Sequence, residues 1–400
     1  MALGVTNRVA LRLKPEATFG TTPSTGHHYL LRITGETLKY ALQTTQSQEL
    51  RSDRQVTDLP LVGAEANGDI NFEFSYGEFD SLLAAALQNT WQVTGTNGVT
   101  TGTTTIVTTT TSLVLTGAGS PFGTGIVAGQ WVRLANMSTS VNNGWFQCTG
   151  VTNATTLAFA GGLTAATTTG TGVVQSSRLT NGTTQTSLSI ERNNADLTLF
   201  SLFRGMTPAR LSLSLTPGQI LTGSVSFMGK DAAATAGTSG MPGTSNASLT
   251  NGIYNSVSNV FNVLENGSAL SNTYVRSLTV NVDNSLRGQP AIGTLGNVGI
   301  GAGQSVITGQ MELYFADSTY LNKFVNNTAS SLSVRVSQSS TGIGYVLTFP
   351  NIKYSDGATT TPAGNQDVML SLPFQALRDT TTGYQLLLDR GGDAVTAWAS

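Results

Sequence analysis

Polar and apolar side chains alternate one by one along residues 69–76, with Ile70, Phe72, Phe74 and Tyr76 on one face and Asp69, Asn71, Glu73 and Ser75 on the other. A period of two marks a strand with one buried face. The next segment, residues 78–87, changes period. Phe79, Leu82, Leu83 and Leu87 fall on one side of a helix, among good helix formers. The same succession returns downstream: residues 309–315 alternate, residues 319–326 predict a short helix, and strands follow near 331–337, 344–349 and 368–374.

The two stretches align. Gly68-Asp69-Ile70-Asn71-Phe72-Glu73-Phe74 answers to Gly309-Gln310-Met311-Glu312-Leu313-Tyr314-Phe315, Leu38 to Leu278, and Leu50-Arg51 to Leu286-Arg287. Further on, Ser187-Leu188-Ser189-Ile190 matches Ser331-Leu332-Ser333-Val334 at a shorter shift. The difference between the shifts corresponds to a Thr/Gly-rich stretch in the first half. One β unit present twice, the first copy interrupted, accounts for this pattern; chance likeness of Ser/Thr-rich strands is the alternative.

The chain then divides into an extended arm at 1–28, broken by Pro and Gly, and a first unit at 29–91 and 187–231. An inserted β module occupies 92–186, with short strands near 112–116, 130–134, 145–150 and 156–159 and a core of Phe122, Trp131, Trp145 and Phe146. A mobile linker at 232–252, a second unit at 253–390 and a loose tail at 391–400 complete it. The expected fold class is all-β with minor α: two tandem β-sandwich units, each flanked by a short helix, plus the inserted module.

Composition sharpens this picture. Only 10% of residues are charged, yet 39% are hydrophobic, so the chain can form cores and is not disordered. So few charges suit a protein in permanent contact with copies of itself. A net charge of −2 excludes a protein that grips nucleic acid by its phosphates. The lone Cys148 excludes an intrachain disulfide framework. Arg8, Arg12 and Lys14 interrupt the N-terminal apolar residues, unlike a signal peptide, and no stretch reaches the roughly 20 apolar residues of a membrane span.

Candidate chemistry is sparse. His27 and His28 lack further ligands for a metal site, and Cys148 has no histidine beside it in sequence. GNVGIGAG at 296–303 lacks the Lys-Ser/Thr ending of a phosphate loop. No carboxylate pair stands out, so nothing points to an enzyme, a cofactor or a metal. Trp131 and Trp145 could present a sugar-binding face instead of packing a core. The outward faces of the two matched strands carry Asp69, Asn71 and Glu73, and Gln310 and Glu312, with no Lys or Arg. Such a wall, lining a channel, would repel phosphates; an ordinary solvated face is the alternative.

RLKPEATFGTTP, LRITGETLKY, QSQELRSDRQVTDLPLVGAEANGDINFEFSYGEFDSLLAAALQ and QDVMLSLPFQALRD resemble the tail-tube (major tail) proteins of long, non-contractile-tailed bacteriophages. The resemblance covers most of the chain outside the insertion. It implies units whose sheets join between subunits into an inner barrel, rings that stack into a tube, and a lumen that conducts genomic DNA without binding it specifically. Duplication implies the tandem version, a pseudo-sixfold ring of three chains, with six single chains as the alternative. The implied partners are copies of itself and tape-measure, tail-terminator and tail-tip proteins. The implied location is the virion tail, after assembly in the host cytoplasm, with the insertion decorating the outside. Arg51, Asp53 and Arg54 become candidates for contacts between rings or subunits. A capsid decoration protein, a baseplate protein and a carbohydrate-binding module are the rival readings.

Overall fold

The computed structural model describes residues 3–93, 105–116, 126–233, 235–360 and 363–392. The chain is all-β with two short α-helices among the described residues. The strands that matter below are β1 (Val9–Pro15), β2 (His27–Leu31), β3 (Lys39–Thr44) and β4 (Leu61–Glu73), followed by α1 (Asp80–Ala86). After the inserted module come β5 (Leu188–Asn194), β6 (Leu199–Leu215) and β7 (Thr222–Gly229). Then follow β8 (Val260–Glu265), β9 (Ser268–Ala269), β10 (Val275–Asp283), β11 (Val306–Tyr314) and α2 (Thr319–Val325). The last are β12 (Ser330–Ser337), β13 (Gly344–Tyr354), β14 (Ala358–Thr360), β15 (Met369–Ala376) and β16 (Leu387–Gly391).

The pairings come in two matching sets. In the first, β1 pairs with β2 and β5, β5 with β6, β6 with β7, β7 with β4, and β4 with β3. In the second, β8 pairs with β9 and β12, β12 with β13, β13 with β15, β15 with β11, and β11 with β10. Even single positions correspond. Gly68 lies across from Phe227, and Gly309 from Phe374. A Cβ on Gly309 would sit 2.3 Å from the Phe374 ring, so the missing side chain gives the aromatic its place.

One antiparallel contact welds the sets together: β6 runs beside β10, with Arg210 opposite Asp283 and Leu213 opposite Val280. The result is a continuous sheet in the order β3, β4, β7, β6, β10, β11, β15. Strand β6 spans both layers because it bends. Gly205 takes φ 67, a bulge falls at Pro208–Arg210, and the strand changes partner there from β5 to β7. A single apolar cluster, including Ile70, Phe72, Leu213, Val280, Met311 and Phe349, runs under the weld. Helix α1 covers it with Leu82, Leu83 and Ala86.

Among the described residues the inserted module is a separate seven-stranded sheet with its own core, mainly aliphatic around Ile106, Leu113, Val132, Leu157 and Val174 and joined by Phe159. Its strands Ser112–Thr116 and Thr156–Phe159 lie where the alternation predicts. The expected aromatic core does not form. Phe146 packs at the margin, Phe122 lies outside the described residues, and Trp145 faces the main body, its Nε1 donating to the Gly342 carbonyl at 3.0 Å. The alternating Ile, Leu and Val side chains of the strands, with Met137, Cys148 and Phe159 among them, fill the core instead. The large indole is left to dock the module.

Two other segments differ from expectation. The supposed arm contains β1, whose Leu11 and Leu13 are fully buried. Its intervening cations are accommodated: Arg12 pairs with Glu191, and buried Lys14 donates to the Pro242 carbonyl at 2.9 Å. The supposed mobile linker is pinned by Gly240 N–H and Ser239 Oγ donating to Glu191, and its Met241 is buried. Strand register also sets Leu38 beside Gly68 as Val280 lies beside Gly309, two residues on from the Leu278 match.

A buried ionic knot gathers four parts of the chain. Adjacent residues of β16 point opposite ways: Asp389 accepts from Arg178 at 2.6 and 2.8 Å, and Arg390 pairs with Asp80 of α1 at 2.8 Å. Arg178 lies in strand Ser177–Thr180, which pairs with β16 in the main sheet and is not part of the module expected to run to 186. The Tyr345 hydroxyl of β13 donates to Asp80 Oδ1 and accepts from Gly77 N–H. Burial pushes the Asp80 carboxyl up to about 6, with Arg390 and Tyr345 pulling it back down. Asp389 also accepts from the Trp131 backbone N–H, so it ties the module to β16. Removing one partner of such a pair strands a buried charge. Asp389→Ala is expected to cost about 3–5 kcal/mol in urea unfolding and to open the module hinge to protease. A loss under about 1 kcal/mol would contradict this role.

Candidate lumen and assembly surfaces

The polar face proposed from the two alternating strands is one continuous surface. Registers across the sheet line up Asn71, Ser224, Ser212, Asn281, Thr308 and Gln375 in one row. A second row reads Glu73, Thr222, Ser214, Thr279, Gln310 and Pro373. Asp69, Asn71, Glu73, Gln310 and Glu312 therefore stand on the same face, with Ile70, Phe72, Met311 and Leu313 buried behind them. The alternation lapses at Phe315, which follows the end of β11 and is exposed.

Neighbouring strands supply cations that the two strands alone do not show. Arg276 sits 3.6 Å from Glu312, and Arg210 sits 2.8 Å from Asp283. These exposed pairs contribute little stability, about 0–1 kcal/mol each, but they neutralise their carboxylates. Asp69 and Glu73 make no ion pair among the described residues, so they carry the free negative charge of the face. Gln310 donates to Ser371 Oγ at 2.9 Å. Lys39 of β3, across from Asn67, stands exposed on the same face and makes no ion pair among the described residues. Most of the other positions carry hydroxyls and amides.

The hairpin between β3 and β4 extends outward. Thr45 N–H donates to the Pro60 carbonyl and Ser47 N–H to that of Asp58, holding its base. At its tip Arg51 pairs with Asp53 at 2.6 Å, which holds the Asp53 carboxyl below the usual range, and Arg54 turns the chain with φ 61. The three sequence candidates thus come together, apart from the polar face. Sequence reading missed the apolar residues around them. Leu50 is 101% exposed, and Val56, Leu59 and Val62 are each more than half exposed. Apolar side chains concentrated on one projecting hairpin mark an interaction site.

The corresponding loop of the second set, residues 284–305, is folded back onto the first. Ala64 N–H donates to the Leu295 carbonyl, and Asn284 Nδ2 to those of Ala86 and Pro208. Within it, the Gly-rich stretch 296–303 is largely a hairpin strand, Asn297–Gly301, paired with Arg287–Pro290.

The remaining candidates lie elsewhere. His27 Nδ1 meets Thr244 Oγ1 in a strand pair, and buried His28 has its pKa lowered by burial and by Arg12. Cys148 is enclosed in the module core, where burial raises its thiol pKa. Trp145 is only 7% exposed, so it offers no sugar-binding face.

A model of the phage tail tube protein family matches residues 6–376. The chain belongs to that family. No curated protein matches it. This tail tube protein is accordingly a structural component of the virion tail, and the match spans the whole polar sheet, the projecting hairpin and the inserted module. No described helix is long and apolar enough to cross a membrane.

Because the tips of Leu50, Val56 and Leu59 touch no core, replacing all three with Ser should leave the unfolding midpoint of the unassembled chain within about 0.5 kcal/mol of wild type. The same variant should fail to pellet as high-mass material under conditions where wild type does. Normal pelleting would show that the hairpin makes no contact between copies.

Proposed function

We propose that this tail tube protein polymerises into stacked rings, that each chain fills two of six ring positions, and that its polar sheet lines the channel through which DNA is ejected. The observation that carries this reading is the matched set of pairings. A unit comprising β1–β7 and one comprising β8–β15 are joined edge to edge by β6 and β10, while β3 and β14 keep an open edge at either end. An open sheet edge invites another strand, and closing three such chains into a ring leaves none. The projecting hairpin with Arg51, Asp53 and Arg54 then reaches a neighbouring chain or ring, as loop 284–305 reaches the first unit within the chain. The module, docked through Trp145 and Asp389, decorates the tube.

The channel wall would act by leaving DNA nothing to hold. Repeated around and along a tube, Asp69 and Glu73 give a weakly negative lining on which Arg210 and Arg276 are already paired and Lys39, at the sheet edge, is outnumbered by carboxylates. Negative-stain microscopy of the concentrated chain should show hollow stacked tubes; discrete closed particles would favour a capsid decoration or baseplate role. Tubes of Asp69→Lys/Glu73→Lys should retain duplex DNA in a salt-dependent manner that wild-type tubes lack. Equal DNA retention by the two would remove this face from the channel.

A further inference from the structure

The joint inside the chain specifies the joint between chains, on the ring assembly proposed above. Lys39 stands across from Asn67, next to Gly68, as Asn281 stands across from Thr308, next to Gly309. Likewise Ala358 faces Ser371 as Ser212 faces Ser224. Within the chain Ser212 pairs with Asn281 and Leu213 with Val280. Transferring that register to the open edges sets Ala358 of one copy opposite Lys39 of the next, and Thr359 opposite Leu38.

The two joints differ in chemistry. The inner one is an apolar seam in which Leu278, Val280 and Val336 meet Leu213 and Leu215. At the outer edge Glu36 occupies the place of Leu278, and Arg192, two residues after Ile190, that of Val336, two after Val334. Arg192 Nε and Nη2 donate to the Glu36 carboxylate at 2.7 and 2.6 Å. The same pair occupies the backbone of Leu38: its N–H donates to Glu36 Oε2 at 2.8 Å, and its carbonyl accepts from Arg192 Nη2 at 2.5 Å. The two Leu38 groups that a neighbouring strand would use are thus already bonded within the free chain.

We propose that the outer edge of residues 35–44 receives residues 357–360 of a second copy of this chain, and that the Glu36–Arg192 pair latches this edge until the second copy displaces it. The inner joint, apolar, forms as the chain folds. The outer one stays closed to stray strands by charges set on the edge, a device that keeps open sheets from aggregating. Assembly then begins only where a correct neighbour supplies the whole register together with the hairpin contact.

The test mixes full-length Lys39→Cys and Ala358→Cys chains under assembling conditions, Cys148 being buried and out of competition. A disulfide between the two chains is expected, and none between Lys39→Cys and Thr380→Cys chains. Tubes that form without the first disulfide would overturn the register and leave the tube reading standing. Absence of both assembly and crosslink at high concentration would overturn both. For the latch, Glu36→Leu/Arg192→Val should lower the concentration needed for assembly about tenfold and remove its salt dependence. Glu36→Gln, which keeps the shape and removes the charge, should shift the threshold in the same direction. Unchanged thresholds in both variants would overturn the latch.

Discussion

The contact between β6 and β10 organises the molecule. Each unit taken alone would be a small sandwich with two raw sheet edges, and the weld pairs one edge of each while burying Leu213, Leu215, Leu278 and Val280 beneath it. Burying apolar surface and satisfying two rows of backbone groups at once makes this a folding contact and not a docking one. The polar face exists as a surface only because the weld keeps the registers of the two units in phase. A slip of one residue would set Ser212 opposite Val280 and so turn the polar face of one unit inward while that of the other stayed outward.

The ionic knot plays a different part. Asp389 and Arg390 lie side by side in a strand formed late in sequence, yet they fix the module through the Trp131 N–H and the first unit through Asp80. Buried pairs of this kind add little net stability compared with apolar packing, but they reject alternative arrangements because each misplacement strands a charge. The 400-residue chain, with only a tenth of its residues charged, concentrates several of them at this junction.

Much of the fold was legible because period-two alternation survives wherever one face is buried. Residues 69–73 and 310–313 announced both strand and face, and the helices were visible in Leu82–Leu83 and in the stretch around Tyr320. What escaped was whatever depends on neighbours in space. β1 looked like a polar arm since Arg12 and Lys14 alternate with Leu11 and Leu13, and only Glu191 and the Pro242 carbonyl make those cations tolerable. The acidic face looked wholly unpaired for the same reason: Arg276 and Arg210 sit on adjacent strands, and a strand read alone does not reveal its partners. The module's aromatics suggested a core, whereas the structure uses Trp145 as an anchor to the main body.

The central claim is that two equivalent units of one chain occupy successive places around a ring, with the inner weld repeated between chains. Native mass measurement of single rings released from tubes tests it most directly. Three chains per ring is the predicted result; six chains per ring would contradict the claim, since each chain would then fill one place and the repeated pairings would have no counterpart in the assembly.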